Sequence, residues 1–171
     1  MDARRRGKAN PYHEAECIEL RAATPRSRRE LHGVLKQLGC RAIDDCYAFD
    51  RRDQVQPWQS ASLFTVDVYL GEAAPYETDD DVLEGLSTQW DRLRVRYLMA
   101  TVPAQLIGPF VDAVERLAQA LGLEVHFAGE RRELSQVRDE LAAIARWLDE
   151  QYFEAGSENL ALLIADEYPG P

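Results

Sequence analysis

The densest group of side chains able to hold a cation or move a proton is acidic: Glu77, Asp79, Asp80 and Asp81, followed closely by Glu84. Hard cations prefer several carboxylate oxygens, but the spacing matches no calcium loop. Val82, Leu83, Leu86 and Trp90 follow at helical intervals, and the positive end of a helix dipole favours acids just before such a run. A solvated helix start therefore accounts for the cluster without a metal. Asp44 and Asp45, adjacent within residues 40–49, fit a bulge or turn better than a catalytic pair.

His13, His32 and His126 are dispersed over the chain. A catalytic histidine needs a nucleophile and an orienting acid beside it, and no local spacing supplies them. An enzyme could only be built from dispersed residues, with Asp44, Asp45, Glu77 or His126 converging in space. The nucleophile elbow GxSxG, the phosphate loops, HExxH and the EF-hand loop are all missing. Cys17, Cys40 and Cys46 make an odd count, with no CxxC pair and no histidine at zinc-ligand spacing. They read as small buried hydrophobes in a reducing compartment. If Cys17 and Cys40 lie on paired strands they could touch, a matter of packing alone. No cofactor, metal site or catalytic residue is expected.

Three tryptophans offer a different kind of chemistry. Trp90 falls on an apolar helical face, Trp58 lies beside Pro57 in a polar stretch, and Trp147 adjoins an apolar seam with Asp149 and Glu150 just beyond it. A tryptophan rimmed by charge is the composition of an interface hot spot as well as of a core edge. The expected partner-binding residues are accordingly Glu77, Asp79, Asp80, Asp81, Trp147, Asp149 and Glu150.

Charge is distributed unevenly. The chain carries a formal −10 at pH 7, yet residues 1–52 hold twelve Arg or Lys against eight Asp or Glu (+4), and residues 53–171 hold eight against twenty-two (−14). A net negative protein is repelled at long range by a phosphate backbone, so nucleic acid is not the expected ligand. A basic protein, or one whose own ligand is a polyanion, would be steered toward the acidic part.

These residues must be positioned by a fold, and 171 residues with 46% hydrophobic content suffice for a substantial core. Residues 1–15 form a basic segment, including Arg4, Arg5, Arg6 and Lys8 with no apolar stretch behind them; residues 16–171 form a single domain. No apolar run approaches the roughly 18 residues that span a bilayer, and the expected location is the cytoplasm.

Ile18, Leu20 and Ala22 alternate with polar residues as a half-buried strand does. Leu31, Val34, Leu35 and Leu38 then recur with helical period, started by Thr24-Pro25 or by Ser27 with Glu30 and stopped by Gly39. Residues 40–49 and 63–70 predict strands. A helix through Val82, Leu86, Trp90 and Leu93 precedes a strand at Val95, Tyr97 and Met99. Helices from Pro103 to Leu121 and through Leu134, Val137, Leu141, Ile144 and Leu148 flank a strand at Leu123, Val125 and Phe127. Residues 157–168 fit a short helix or a last strand.

The predicted class is α+β: a mixed, mainly antiparallel sheet with helices packed on one face. The strand and helix order over residues 17–102 suggests a ferredoxin-like βαββαβ core with an αβα extension. The run of strand, proline-started helix and glycine-ended return occurs twice, at residues 23–39 and 101–122, which suggests two βαβ units on one sheet.

The functional expectation is an acidic protein-binding domain that neutralises a partner, in the manner of an immunity protein or antitoxin acting against a toxin of nucleic acid or nucleotides. The alternatives are a homodimeric, ferredoxin-like regulatory domain that binds a small molecule, and the dispersed-site enzyme.

Overall fold

The computed structural model describes residues 17–43, 46–50, 62–71, 85–96 and 107–151. In chain order these form β1 (Cys17–Ser27), α1 (Arg28–Gln37), β2 (Cys40–Ile43), β3 (Cys46–Asp50), β4 (Ser62–Tyr69), β5 (Gln89–Arg96), α2 (Ile107–Leu121), β6 (Glu124–Phe127), β7 (Glu130–Arg131) and α3 (Leu134–Gln151).

The seven strands make one sheet in the order β2-β3-β4-β5-β1-β6-β7, and each neighbouring pair is antiparallel. Alternation sets its two faces. Val66 pairs with Val95 and Val95 with Ile18; Val68 pairs with Leu93, Leu93 with Leu20, and Leu20 with Val125. These rows form one core with Leu31 and Leu35 of α1, Phe110, Val114 and Leu117 of α2, and Val137, Leu141 and Ile144 of α3. The helices thus cover one sheet face, and the domain is α+β. At about 25 cal/mol per Å² of apolar surface, this shared burial is the main stabilising term.

The helix ends follow local chemistry. Ser27 caps α1, its hydroxyl accepting from the Arg29 N–H, so the later of the two expected starts is used. Gly39 and Gly122 follow α1 and α2 with φ of 87° and 62°, the left-handed conformation that lets the chain turn away without a Cβ penalty.

Three features depart from the sequence expectations. First, the sheet order does not reduce to a ferredoxin-like core: β4 stands between β3 and β5, and β1 lies between β5 and β6. Nor are there two adjacent parallel βαβ units. β5 and β6 both run antiparallel to β1, so β5-α2-β6 is a split crossover with β1 inserted, while β1-α1-β2 spans β5, β4 and β3. Of the repeated pattern, the glycine stops at Gly39 and Gly122 stand, whereas Pro25 lies within β1 rather than starting a helix and Pro103 lies outside the described residues.

Second, the helix expected to run to Leu93 ends earlier. Residues 85–88 form a helical turn and the chain enters β5 at Gln89. Trp90 is nonetheless fully buried. Arg21 pairs with Arg92 and Arg26 with Trp90, so β1 takes five residue steps where β5 takes two. Such a bulge re-aims side chains; it turns Trp90 inward, where its indole N–H donates to the Ser27 carbonyl at 3.1 Å. Helical spacing from Leu86 to Trp90 to Leu93 was therefore a coincidence of the bulge.

Third, Cys17 pairs with Arg96 of β5, whereas Cys40 lies on the edge strand β2. The two are not on paired strands. The β6-β7 hairpin was also unexpected: Ala128 and Gly129 both have positive φ, 50° and 77°, the geometry that matches a two-residue turn to strand twist.

Candidate functional site

The sheet face opposite the helices carries rows of charged residues among the buried Cys17, Ala48 and Tyr69. Its longest row runs Cys46, Asp67, Arg94, Glu19, His126, Arg131 across strands β3, β4, β5, β1, β6 and β7. A second row joins Tyr69, Arg92, Arg21 and Glu124, and a third joins Ala48, Thr65, Arg96 and Cys17. Because strand side chains alternate between faces, Arg92, Arg94 and Arg96 point the same way from β5, while Leu93 and Val95 between them fill the core. Successive arginines are spaced about 6.7 Å along the strand.

The charges hold one another in place. Glu19 accepts from the Arg21 Nε at 2.5 Å and lies 3.9 Å from Arg92 Nη1, with 16% of its side chain exposed. Asp67 pairs with Arg96 Nη2 at 3.3 Å. The Arg92 guanidinium lies 4.8 Å from the centre of the Tyr69 ring, and its Nη2 donates to the Gly71 carbonyl at 3.2 Å. A cation over an aromatic face is stabilised by the ring quadrupole, and Tyr69 is itself buried. Asp91 accepts from the Gly71 N–H through both oxygens at 3.1 Å. The Arg92 head is thus anchored from below and from the end of β4.

Within β1, β4 and β5, four arginines (Arg21, Arg92, Arg94, Arg96) share this face with two carboxylates, Glu19 and Asp67. The Nε atoms of Arg92 and Arg96 are buried and have no hydrogen-bond partner among the described residues. A guanidinium presents its Nε–H and one Nη–H as a fork to a carboxylate or phosphate.

No protein-family model and no curated protein matches the chain.

His126 faces away from Phe127, as its alternation predicted, and sits on the charged face with Nε2 3.5 Å from Glu124 Oε2. That contact is an electrostatic proximity; the same Nε2 makes no hydrogen bond among the described residues. His32, exposed on α1, brings Nδ1 to 3.3 Å from the Tyr47 hydroxyl, with Arg28 5.8 Å from the centre of the same ring. His13 lies outside the described residues, and so do Asp44, Asp45, Glu77, Asp79, Asp80, Asp81 and Trp58. No group of three or more His, Cys, Asp or Glu among the described residues is placed to hold a metal. Among them, too, no helix is long and apolar enough to cross a membrane.

Trp147 is half-buried and packs against the main core from α3. Asp149 lies on the same helix, with its side chain outside the described set, and Glu150 is exposed.

A concavity of about 500 Å³ opens where α2 ends and α3 begins. Ala118, Leu123, Val125 and Leu134 give it an apolar wall, with Glu115 and Arg132 at its margin. Arg132 is already engaged, donating to Glu140 and lying 3.3 Å from Glu130.

The arginine row was the surface feature that sequence reasoning missed. Its signal was present as alternation of Arg92, Arg94 and Arg96 with Leu93 and Val95. Assigning Leu93 to a helix hid the first member, and the −14 balance of residues 53–171 hid the local excess of positive charge.

Proposed function

We propose that the protein is a cytoplasmic protein-binding domain that captures and neutralises a partner, in the manner of an immunity protein or antitoxin, and that the charged sheet face is its recognition surface. The observation that carries this reading is the alternation of sign along a rigid row, from Asp67 through Arg94 and Glu19 to Arg131. Charges fixed on paired strands discriminate between partners through complementary potentials and penalise mismatched ones. A nucleic-acid surface needs a more uniform positive field, which Glu19 and Asp67 interrupt.

The test is capture of host-cell protein on the immobilised chain, eluted with rising salt, comparing the parent with three surface variants. One carries Arg92→Glu and Arg96→Glu. A second carries Asp79→Lys, Asp80→Lys and Asp81→Lys, and a third Trp147→Ala, Asp149→Lys and Glu150→Lys. One stoichiometric protein, inhibited by the parent chain and released only by the arginine variant at unchanged melting temperature, is the expected result. Release by the acidic variants alone would move recognition to the acidic residues singled out by the sequence. No specific capture would end the reading.

A second reading, a homodimeric regulatory domain holding a small molecule, rests on the concavity between α2 and α3. It requires a dimer in solution and a melting-temperature rise with a metabolite that Leu134→Trp abolishes.

A further inference from the structure

We infer that the concavity between α2 and α3 binds a small organic ammonium compound, its apolar body against Leu123, Val125 and Leu134 and its cation held by Glu115 and Glu133. This deepens the second reading, of a small-molecule site, and rests on it.

The argument begins with the walls. A volume of about 500 Å³ falls within the range of small-ligand sites, roughly 300–1,000 Å³. Ala118 is buried, but Leu123, Val125 and Leu134 are only partly covered by the core they pack against. Three half-covered aliphatic side chains thus line one hollow, and each loses further contact with water when an apolar group enters. The hollow is also held in shape. The Leu123 N–H donates to the Ala118 carbonyl at 2.9 Å and the Arg132 N–H to the Val125 carbonyl at 3.0 Å, while Arg138 joins α3 to Asp112 of α2 at 2.5 Å. Walls fixed in advance spare a ligand the cost of ordering them.

Charge supplies the second step. The arginines beside the hollow are already matched: Arg132 donates to Glu140 and lies 3.3 Å from Glu130, and Arg138 has Asp112. Glu115, half-buried, and Glu133, exposed, both line the hollow, and neither has an ion-pair partner among the described residues. The start of α3 opens here too, and a helix N-terminus carries about half a positive charge. Two carboxylates outweigh that fraction, and the Glu133 N–H is already taken by Gln136 Oε1 at 3.3 Å. The balance is negative, so the hollow favours a cation over an anion, and the net −10 of the chain draws cations toward it.

The two steps together choose the ligand class. A bare metal ion would leave the aliphatic wall unused, and no group of three or more His, Cys, Asp or Glu among the described residues is placed to hold one. A neutral apolar molecule would leave both carboxylates unmatched. An ammonium group on an apolar body uses both.

The experiment is amide NMR of the isotope-labelled full chain at pH 7, titrated with phenethylammonium, 2-phenylethanol and 3-phenylpropanoate, three probes of similar shape and different charge. Shifts at Gly122, Leu123 and Ser135 are expected, with the ammonium at least about fivefold tighter than the alcohol, as two partly exposed ion pairs allow, and the carboxylate weakest. Glu115→Gln with Glu133→Gln, at unchanged melting temperature, should bring ammonium and alcohol to within about twofold. Leu134→Trp should fill the hollow and abolish binding of both. Should that variant fold poorly, Ser135→Arg, on an exposed position at the mouth, should reverse the ranking in favour of the carboxylate. Equal affinity for ammonium and alcohol, preference for the carboxylate, or shifts confined to other residues overturns the inference. If no probe binds while a metabolite still raises the melting temperature in a manner that Leu134→Trp abolishes, the ammonium class falls and the small-molecule reading stands. If neither is seen, both fall.

Discussion

The guanidinium of Arg26, at the end of β1, donates to the main-chain carbonyl of Leu121, the last residue of α2. The same head pairs with Glu30 at 2.6 Å and lies 5.7 Å from the centre of the Trp90 ring. A cation at the C-terminus of a helix complements its dipole and satisfies a carbonyl that has no intrahelical partner. One side chain thereby joins a strand end, a helix start and a helix end. Arg26→Ala should lower unfolding stability by about 1.5–3 kcal/mol, the range for a charge-assisted hydrogen bond, measured by urea denaturation. Loss of less than about 0.5 kcal/mol would show that solvent replaces the contact at no cost.

Glycine at position 122 is required by backbone conformation. A Cβ there would meet nothing within 4 Å, yet φ is +62°. Gly122→Ala should therefore cost about 1–2 kcal/mol through left-handed strain alone, seen as a lower melting temperature with no new steric defect. An unchanged melting temperature would contradict this.

Two glutamates on the charged face should behave differently. Glu19, at 16% side-chain exposure, engages Arg21 and Arg92, whereas Glu124, at 53%, faces Arg131 and His126. Glu19→Gln is expected to destabilise the domain by about 1–3 kcal/mol, because the Arg21 and Arg92 guanidiniums lose the negative charge they face and keep only a neutral amide oxygen as acceptor. Glu124→Gln should stay within about 0.5 kcal/mol, as exposed pairs usually do. Equal effects would mean that solvent screens both sites alike.

Leu93 stands at the centre of the sheet, paired with Val68 and Leu20 and fully buried. Leu93→Ala should cost about 2–5 kcal/mol, the transfer loss plus the cavity left behind. Cooperative unfolding at a reduced denaturant midpoint is expected; an unchanged midpoint would contradict it.

Much of the local structure was written in the sequence. The periods of Leu31 to Leu38 and of Leu134 to Leu148, the stops at Gly39 and Gly122, and the alternation in β1, β4 and β6 each reflect interactions between near neighbours, which residue order alone determines. The α+β class follows from them, since such helices and half-polar strands bury their apolar sides only against each other. The direction of His126 was legible for the same reason.

The tertiary structure decided what depends on distant residues. Which strand lies beside β1 is a matter of pairing β5 and β6 with it, and neither partner is near it in the chain. The bulge that turns Trp90 inward arises from a mismatch of length between β1 and β5, invisible in either segment alone. The charged face is likewise a product of register: Glu19, Asp67, Arg92, Arg94 and Arg96 come together because antiparallel pairing aligns their alternations on one side. Sequence order determined the charges, and only the pairing of strands gathered a positive row within a negative chain.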